Sequence, residues 1–156
     1  MKSRDSRIGI RDSGPRPHER LDVWRDAMDL VETTYRFSAA FPDAERFGLT
    51  AQIRRAAISV PSNIAEGAAR RSTPEYVRFL SIARGSLSEL DTQIQLALRL
   101  RLASDAPQLL EQLDAVFAKL NALIRSLAAR DTKTPGASAG SNPKSQIPNP
   151  GSSHAR

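Results

Sequence analysis

Residues 104–130 read SDAPQLLEQLDAVFAKLNALIRSLAAR and contain the clearest helical repeat of the chain. Large apolar side chains recur there at alternating spacings of four and three residues: Leu109, Leu113, Val116, Leu120, Leu123 and Leu127. Because an α-helix has about 3.6 residues per turn, this spacing places them on one face. Pro107 suits the first helical position, where its missing N–H would have no partner. The stretch therefore predicts an amphipathic helix that packs against other helices.

Two earlier segments have the same kind of period. The first runs over about residues 22–40, and its apolar stripe is Trp24, Ala27, Met28, Val31 and Tyr35. The second begins near Gly48 and ends around residues 67–71, and its stripe is Leu49, Ile53, Ala56, Val60 and Ile64. Pro61 lies inside this second helix. Because proline cannot donate to the carbonyl four residues earlier, we expect a kink or a short break there.

A third helix is predicted from Ser72 to about Arg101. Ser72 and Glu75 match a capping box, which marks the start of a helix. Gly85 lies in the middle, where glycine costs about 1 kcal/mol relative to alanine. We therefore expect another helix to approach closely at Gly85.

The third helix carries two rows of side chains. The expected core row is Tyr76, Leu80, Ala83, Leu87, Leu90, Ile94 and Ala97. The second row, displaced by about 100°, is Phe79, Ile82, Ser86, Glu89, Gln93, Leu96 and Leu100. Two rows cover more of the circumference than a monomeric bundle usually buries. We therefore predict that Ile82, Leu96 and Leu100 form an interface between subunits.

The connections between the four helical patterns are short, and no strand-like alternation occurs. Neighbouring helices should then run antiparallel, which predicts an all-α, up-and-down four-helix bundle over residues 21–130. Residues 1–20 mix Arg, Asp, Gly and Pro without a period, and residues 131–156 are rich in Pro, Gly, Ser and Asn. Such segments bury too little apolar surface to offset their ordering entropy, so we expect two disordered arms.

The chain has a net charge of +6 and a pI of about 10.5, but most of the excess lies in the arms. Residues 21–130 hold 14 basic and 13 acidic side chains. Basic pairs occur at Arg54-Arg55 and Arg70-Arg71, and these are the candidate nucleic-acid contacts. The helix dipole alone also accounts for Arg70-Arg71, which lie at a helix C-terminus. A ring of subunits would repeat either pair and strengthen its field.

Polar side chains repeat at helical spacing on the second and third helices. They are Arg55, Ser59, Asn63, Glu66 and Arg70 on the second, and Ser86, Glu89 and Gln93 on the third. Three interpretations stay open. The rows face water, or they form a structural hydrogen-bond network between the helices, or they line a functional pocket.

Motifs for catalysis and cofactor binding are absent from the sequence. There is no cysteine, which excludes disulfides, thiolate zinc sites and cysteine nucleophiles. The two histidines, His18 and His154, fall in the expected arms, and no nucleotide-binding or metalloprotease motif occurs. We predict a protein that is not an enzyme and uses neither a cofactor nor a metal. A metal-dependent nuclease using Glu66 and Glu89 would lack the clustered ligands such sites need.

Nothing in the sequence predicts export or a membrane partner. The N-terminus is charged and contains no apolar signal-peptide core. No uninterrupted apolar run approaches the roughly 20 residues that cross a bilayer. We expect a soluble, cytoplasmic protein.

Three stretches carry a resemblance to a known family: the L-x-V-W start at residues 21–24, QIRRAAISVPSNIAEG at residues 52–67, and F-L-x-I-A-x-G-S-L-x-E-L at residues 79–90. With them the chain resembles the 23S ribosomal RNA intervening-sequence proteins, closely over about residues 20–102. The resemblance implies an antiparallel four-helix bundle that assembles into a ring-shaped homopentamer. No catalytic residue is attributed to the family, so none is carried over.

The family name records the location of its genes inside ribosomal RNA genes. A related set, the accessory variability proteins of diversity-generating retroelements, is similar in fold and is thought to bind nucleic acid and a reverse transcriptase through a basic pentamer. We therefore expect a non-catalytic, oligomeric protein that binds structured RNA or another nucleic acid. The alternative is a structural or adaptor ring that binds another protein and no nucleic acid.

Overall fold

The structure of the chain is a computed structural model, which describes residues 14–132. Four α-helices follow one another: α1 Asp22–Ser38, α2 Leu49–Ala68, α3 Thr73–Arg99 and α4 Pro107–Asp131. Short 3₁₀ turns at Pro17–Arg20 and Asp43–Glu45 precede α1 and α2, and the described residues contain no strand. The predicted all-α, four-helix fold is confirmed. No helix within residues 14–132 combines the length and apolarity required to traverse a bilayer.

The helices pack in the order of the chain, and α4 closes the bundle against α1. The contact between α2 and α3 is the most extensive, and within the described residues no Cα atoms of the diagonal pairs α1–α3 and α2–α4 come within 8 Å of each other. The core lies between the four helices, and Leu30, Ile53, Leu87 and Leu120 are among its fully buried side chains. Each such side chain stabilises the fold by about 1.5–3 kcal/mol relative to an exposed one.

The buried face of α1 differs from the predicted stripe. Met28 and Tyr35 are exposed, whereas Ala27, Leu30 and Thr34 are fully buried. Thr34 tolerates burial because its hydroxyl donates to the Leu30 carbonyl oxygen at 2.7 Å. The core row of α1 thus includes a polar residue whose hydrogen bond is made inside its own helix.

Three local features differ from the predictions. α2 continues through Pro61, so of the predicted kink or short break the break does not occur. At the start of α3, the Ser72 hydroxyl donates to the Glu75 carboxylate at 2.8 Å and does not cap the backbone, so the capping box is not formed. Gly85 is exposed, and an added Cβ there would meet nothing within 4 Å. No other helix within residues 14–132 approaches Gly85.

The folded region begins before the predicted boundary at residue 21. Pro17–Arg20 forms a 3₁₀ turn that packs against α1 and α2. The rings of His18 and Trp24 lie 5.0 Å apart, centre to centre. The last residues of the predicted N-terminal arm therefore belong to the fold, and His18 is one of them. The remaining parts of both arms, residues 1–13 and 133–156 with His154, lie outside the described residues.

Candidate functional site

The polar rows of α2 and α3 meet at one point between the two helices. The hydroxyl oxygens of Ser59 and Ser86 lie 2.9 Å apart, and Asn63 Nδ2 donates to the Ser59 hydroxyl at 3.0 Å. Asn63 Nδ2 also lies 2.8 Å from the Ser59 carbonyl oxygen. Ser86 is buried, so this contact is largely shielded from water. The cluster links the two most extensively packed helices and fixes their register.

The other three residues of the predicted network lie outside this cluster. Glu66 forms an ion pair with Arg70 on the same helix. Gln93 Nε2 donates to Glu89 at 3.1 Å, also within one helix. Glu66 and Glu89 are exposed, so the predicted network divides into separate contacts.

The register of α2 against α3 also separates the two glutamates of the nuclease alternative. Glu66 lies seven residues beyond Ser59, and Glu89 lies three residues beyond Ser86 on the antiparallel neighbour. At 1.5 Å per residue they are about 15 Å apart along the helix axes. Within residues 14–132, no group of three His, Cys, Asp or Glu side chains could hold a metal ion. The described residues therefore assemble no ligand set for a metal-dependent nuclease.

An arginine groove of about 520 Å³ lies where α1 ends and α2 begins. It is lined by Tyr35, Arg46, Phe47, Thr50, Ala51, Arg54, Arg55 and Ile58. No carboxylate lines it, and Phe47 is 89% exposed. Its volume falls within the range of about 300–1,000 Å³ typical of ligand sites. Guanidinium groups and aromatic rings side by side suit a ligand that carries both negative charge and flat apolar surface.

Arg54 is the best-positioned cation of the arginine groove. Its Nε donates to the Ser38 hydroxyl at 2.8 Å, and its guanidinium carbon lies 4.6 Å from the centre of the Tyr35 ring. Within residues 14–132, the salt bridges involve neither Arg46 nor Arg54 nor Arg55. Their charges are therefore not neutralised by a carboxylate of the described chain, and an anion can take that place.

The second predicted arginine pair lies at the opposite end of α2. Arg70 is about 24 Å from Arg54 along the helix axis. It is paired with Glu66, and its guanidinium carbon lies 4.7 Å from the centre of the Phe79 ring. Arg71 is exposed. One chain therefore does not combine the two pairs in a single surface, and only Arg54-Arg55 lies in a groove without carboxylates.

Sequence reasoning missed the residues that complete the arginine groove. Arg46 and Phe47 lie in the connection between α1 and α2, where no helical period draws attention to them. Tyr35 was assigned to the core, yet it faces the groove. The adjacent pair Arg46-Phe47 in a short connection was the one signal available, because a large aromatic residue is seldom left in a loop without a partner.

An apolar groove of about 360 Å³ lies farther along α1 and α2. It is lined by His18, Trp24, Met28, Val31, Ile58, Pro61, Ser62 and Ala65. Ile58 lines both grooves, so the two adjoin along α2. A different apolar surface lies on α3, where Ile82, Leu96 and Leu100 are 43%, 44% and 56% exposed. A single chain therefore leaves two unlike apolar surfaces uncovered.

The side of the bundle formed by α1 and α4 is acidic. A cleft there is lined by Asp26, Asp29, Glu111, Gln112 and Ala115. Lys119 forms an ion pair with Asp26, and this hydrogen bond raises the pKa of Lys119. The acidic cleft and the arginine groove share no lining residue.

Comparison with known proteins identifies one family. A family model described as 23S rRNA-intervening sequence protein matches residues 19–122. The matched range takes in α1 to α3 and more than half of α4. A search of curated proteins finds no match to the chain.

Proposed function

Because this chain belongs to the 23S rRNA-intervening sequence protein family, we propose that it binds RNA without catalysis and does so as a cyclic homo-oligomer. The observation that carries the proposal is the arginine groove, in which three arginines lie beside two exposed aromatic rings and have no carboxylate partner among residues 14–132. The target is the unpaired segment of a structured RNA. The phosphates neutralise the arginines, and the bases stack on the rings.

The kind of RNA follows from the side chains of the groove. A double helix hides the faces of its bases, so an exposed ring such as Phe47 gains little from it. Unpaired bases have free faces, and stacking one of them on an aromatic ring contributes about 1–3 kcal/mol. Loops, bulges and single-stranded ends are therefore the expected sites.

Support for assembly comes from the two unlike apolar surfaces. A two-fold dimer joins identical surfaces, whereas a contact between unlike surfaces produces a closed ring or an open filament. The exposed row of Ile82, Leu96 and Leu100 on α3 is the surface we propose to enter the apolar groove of the next subunit. Gly85 lies within about 60° of that row and would let a neighbouring backbone come close. The number of subunits, five, rests on the family resemblance.

Assembly also compensates for the small net charge of one bundle. Residues 21–130 carry an excess of only one positive charge, so a single chain offers RNA a small overall attraction. A ring presents the arginine groove once per subunit, and an RNA that reaches two grooves binds with an effective concentration set by the ring.

The test is RNA binding measured over a range of salt concentrations. For a single-stranded site, each arginine that no longer neutralises a phosphate should lower the slope of log K against log salt by about 0.7. Replacing both groove arginines (Arg54→Gln, Arg55→Gln) should weaken binding and flatten the slope. The Arg125→Gln, Arg130→Gln variant, which removes two exposed arginines from α4, is the charge-matched control. Phe47→Ala should weaken binding without changing the slope.

Two outcomes would overturn the proposal. Wild-type protein that retains no RNA at low salt would favour the adaptor alternative, in which the grooves bind another protein. Equal losses from the groove variant and the Arg125→Gln, Arg130→Gln control would mean that RNA is held by general charge and not by the arginine groove.

A further inference from the structure

Thr50 carries a buried hydroxyl without a hydrogen-bond partner. It is the second residue of α2 and only 8% exposed, yet its Oγ1 has no partner within the described residues. Buried hydroxyl groups are almost always hydrogen-bonded, because leaving one unsatisfied forfeits its interaction with water. An orphaned hydroxyl on a residue that lines a cavity is therefore open to a partner from outside the described residues.

Thr50 lines two cavities, and both are also lined by the same two arginines. One is the arginine groove, and the other is a smaller cavity of about 190 Å³ beside the 3₁₀ turn before α2. Thr50, Arg46 and Arg54 line both. The Arg54 Nε donates to Ser38, and the face of its guanidinium group packs on Tyr35. The terminal amino groups of Arg54 therefore remain as donors.

The start of α2 adds a partial positive charge to this place. Gly48 is the N-terminal cap and provides no side-chain hydrogen bond, so the first-turn amides depend on other acceptors. Glu45 supplies one of them, because its Oε2 accepts from the Leu49 amide at 3.1 Å. Asp43 lines the smaller cavity. These carboxylates occupy the side toward the 3₁₀ turn, whereas the arginine groove has none.

We propose that the Thr50 hydroxyl and the guanidinium groups of Arg46 and Arg54 form a phosphate subsite at the start of α2. This inference rests on the proposed function and assigns the subsite to one phosphate of a bound RNA strand, whose neighbouring base stacks on Phe47. A phosphate oxygen accepts the hydroxyl proton and completes the hydrogen bonding of Thr50. The arginines supply the charge, and the hydroxyl supplies the position.

The decisive variant is Thr50→Val, which keeps the shape of the side chain and removes the hydroxyl. RNA affinity should fall by about tenfold or more, the loss expected for one hydrogen bond to a charged group. The salt slope should not change, because a neutral hydroxyl releases no counterions. Arg54→Gln should instead lower both affinity and slope. Thr92→Val, which removes a hydroxyl that donates to the Ser88 carbonyl on α3, is the matched control and should leave affinity unchanged.

A structural role for Thr50 is separated from a ligand role by the melting temperature. The hydroxyl has no partner to lose, so Thr50→Val should melt at or above the wild-type temperature while it binds RNA more weakly. A variant that binds RNA within about twofold of wild type would overturn the subsite and leave the proposed function standing.

A second probe keeps the subsite testable if wild-type protein retains no RNA. Inorganic phosphate and adenosine monophosphate are each added at constant ionic strength, and the melting temperature of the full chain is followed. The subsite stands if either compound raises the wild-type value and leaves Thr50→Val unaffected, and a larger effect of the nucleotide assigns the phosphate to a nucleotide source. It falls if wild type and Thr50→Val respond alike or not at all.

Discussion

The Gly85→Ala variant separates the stability of α3 within one chain from its part in assembly. The new methyl group would contact no other residue within residues 14–132. Gly85 is exposed, and an added Cβ has no neighbour within 4 Å. Only helix propensity then changes, and alanine should stabilise the helix by about 1 kcal/mol. For a folded region of this size, that gain raises the melting temperature by roughly 4 °C.

Gly67→Ala is the matched comparison with the opposite expected sign. A Cβ at Gly67 would come within 2.8 Å of Tyr76 Cδ2 and 3.1 Å of Phe79 Cβ. Overpacking of this kind costs about 1–3 kcal/mol, which exceeds the gain in helix propensity. Gly67→Ala should therefore lower the melting temperature, whereas Gly85→Ala raises it.

The assay is thermal unfolding followed by circular dichroism, with sedimentation velocity on the same samples. The stability effect is measured in an Ile82→Glu background, which the ring proposal expects to be monomeric. If a neighbouring subunit packs close to Gly85 in the wild-type background, the Gly85→Ala variant should sediment with a lower mass than the wild-type assembly. A lower melting temperature for Gly85→Ala in the Ile82→Glu background would refute the exposed placement of Gly85.

Further predictions concern the loop after α3, one titrating group and the contact between α2 and α3. Arg101 has a φ of +56°, so Arg101→Gly should raise the free energy of unfolding by about 1 kcal/mol, measured with denaturant. Burial raises the pKa of Tyr76. Tyr76 therefore contributes to the free energy of unfolding at pH values below its usual pKa of about 10. This contribution is lost as the pH rises through the higher pKa that Tyr76 has in the folded state. Ultraviolet titration of a Tyr35→Phe variant should show Tyr76 ionising above that usual pKa, and an ordinary value would contradict its burial. Ser86→Ala should cost about 0.5–1.5 kcal/mol in chemical denaturation, whereas exposed Glu89→Ala should cost under about 0.5 kcal/mol; equal costs would place both residues in one network.

The sequence was sufficient to predict the bundle because helical period is a local signal. The predicted row of α4 and the predicted core row of α3 are buried apart from Tyr76, Leu123 and Leu127, which are only partly buried. The predicted stripe of α1 omitted the fully buried Leu30 and Thr34 and included Met28 and Tyr35, which are exposed. The hydrogen bond from Thr34 to Leu30 is invisible to a hydropathy pattern.

The arginine groove could be predicted only in part. Arg54 and Arg55 were chosen as an adjacent basic pair, but Tyr35, Arg46 and Phe47 join them only when the end of α1 meets the start of α2. This proximity depends on the path of the short connection between α1 and α2. The connection has no helical repeat from which its path could be predicted. In the same way, the register that brings Ser59 to Ser86 and keeps Glu66 away from Glu89 is a property of packing and not of spacing.

RNA binding by the full chain as an assembly is tested most directly by sedimentation velocity. A fluorescently labelled RNA with unpaired loops is mixed with the protein, and its sedimentation is followed at the wavelength of the label. The RNA should sediment with a particle several times heavier than the 17.1 kDa chain and return to its free rate with the Arg54→Gln, Arg55→Gln variant. RNA that sediments freely beside wild-type protein, or that binds a single 17.1 kDa chain, would contradict the account.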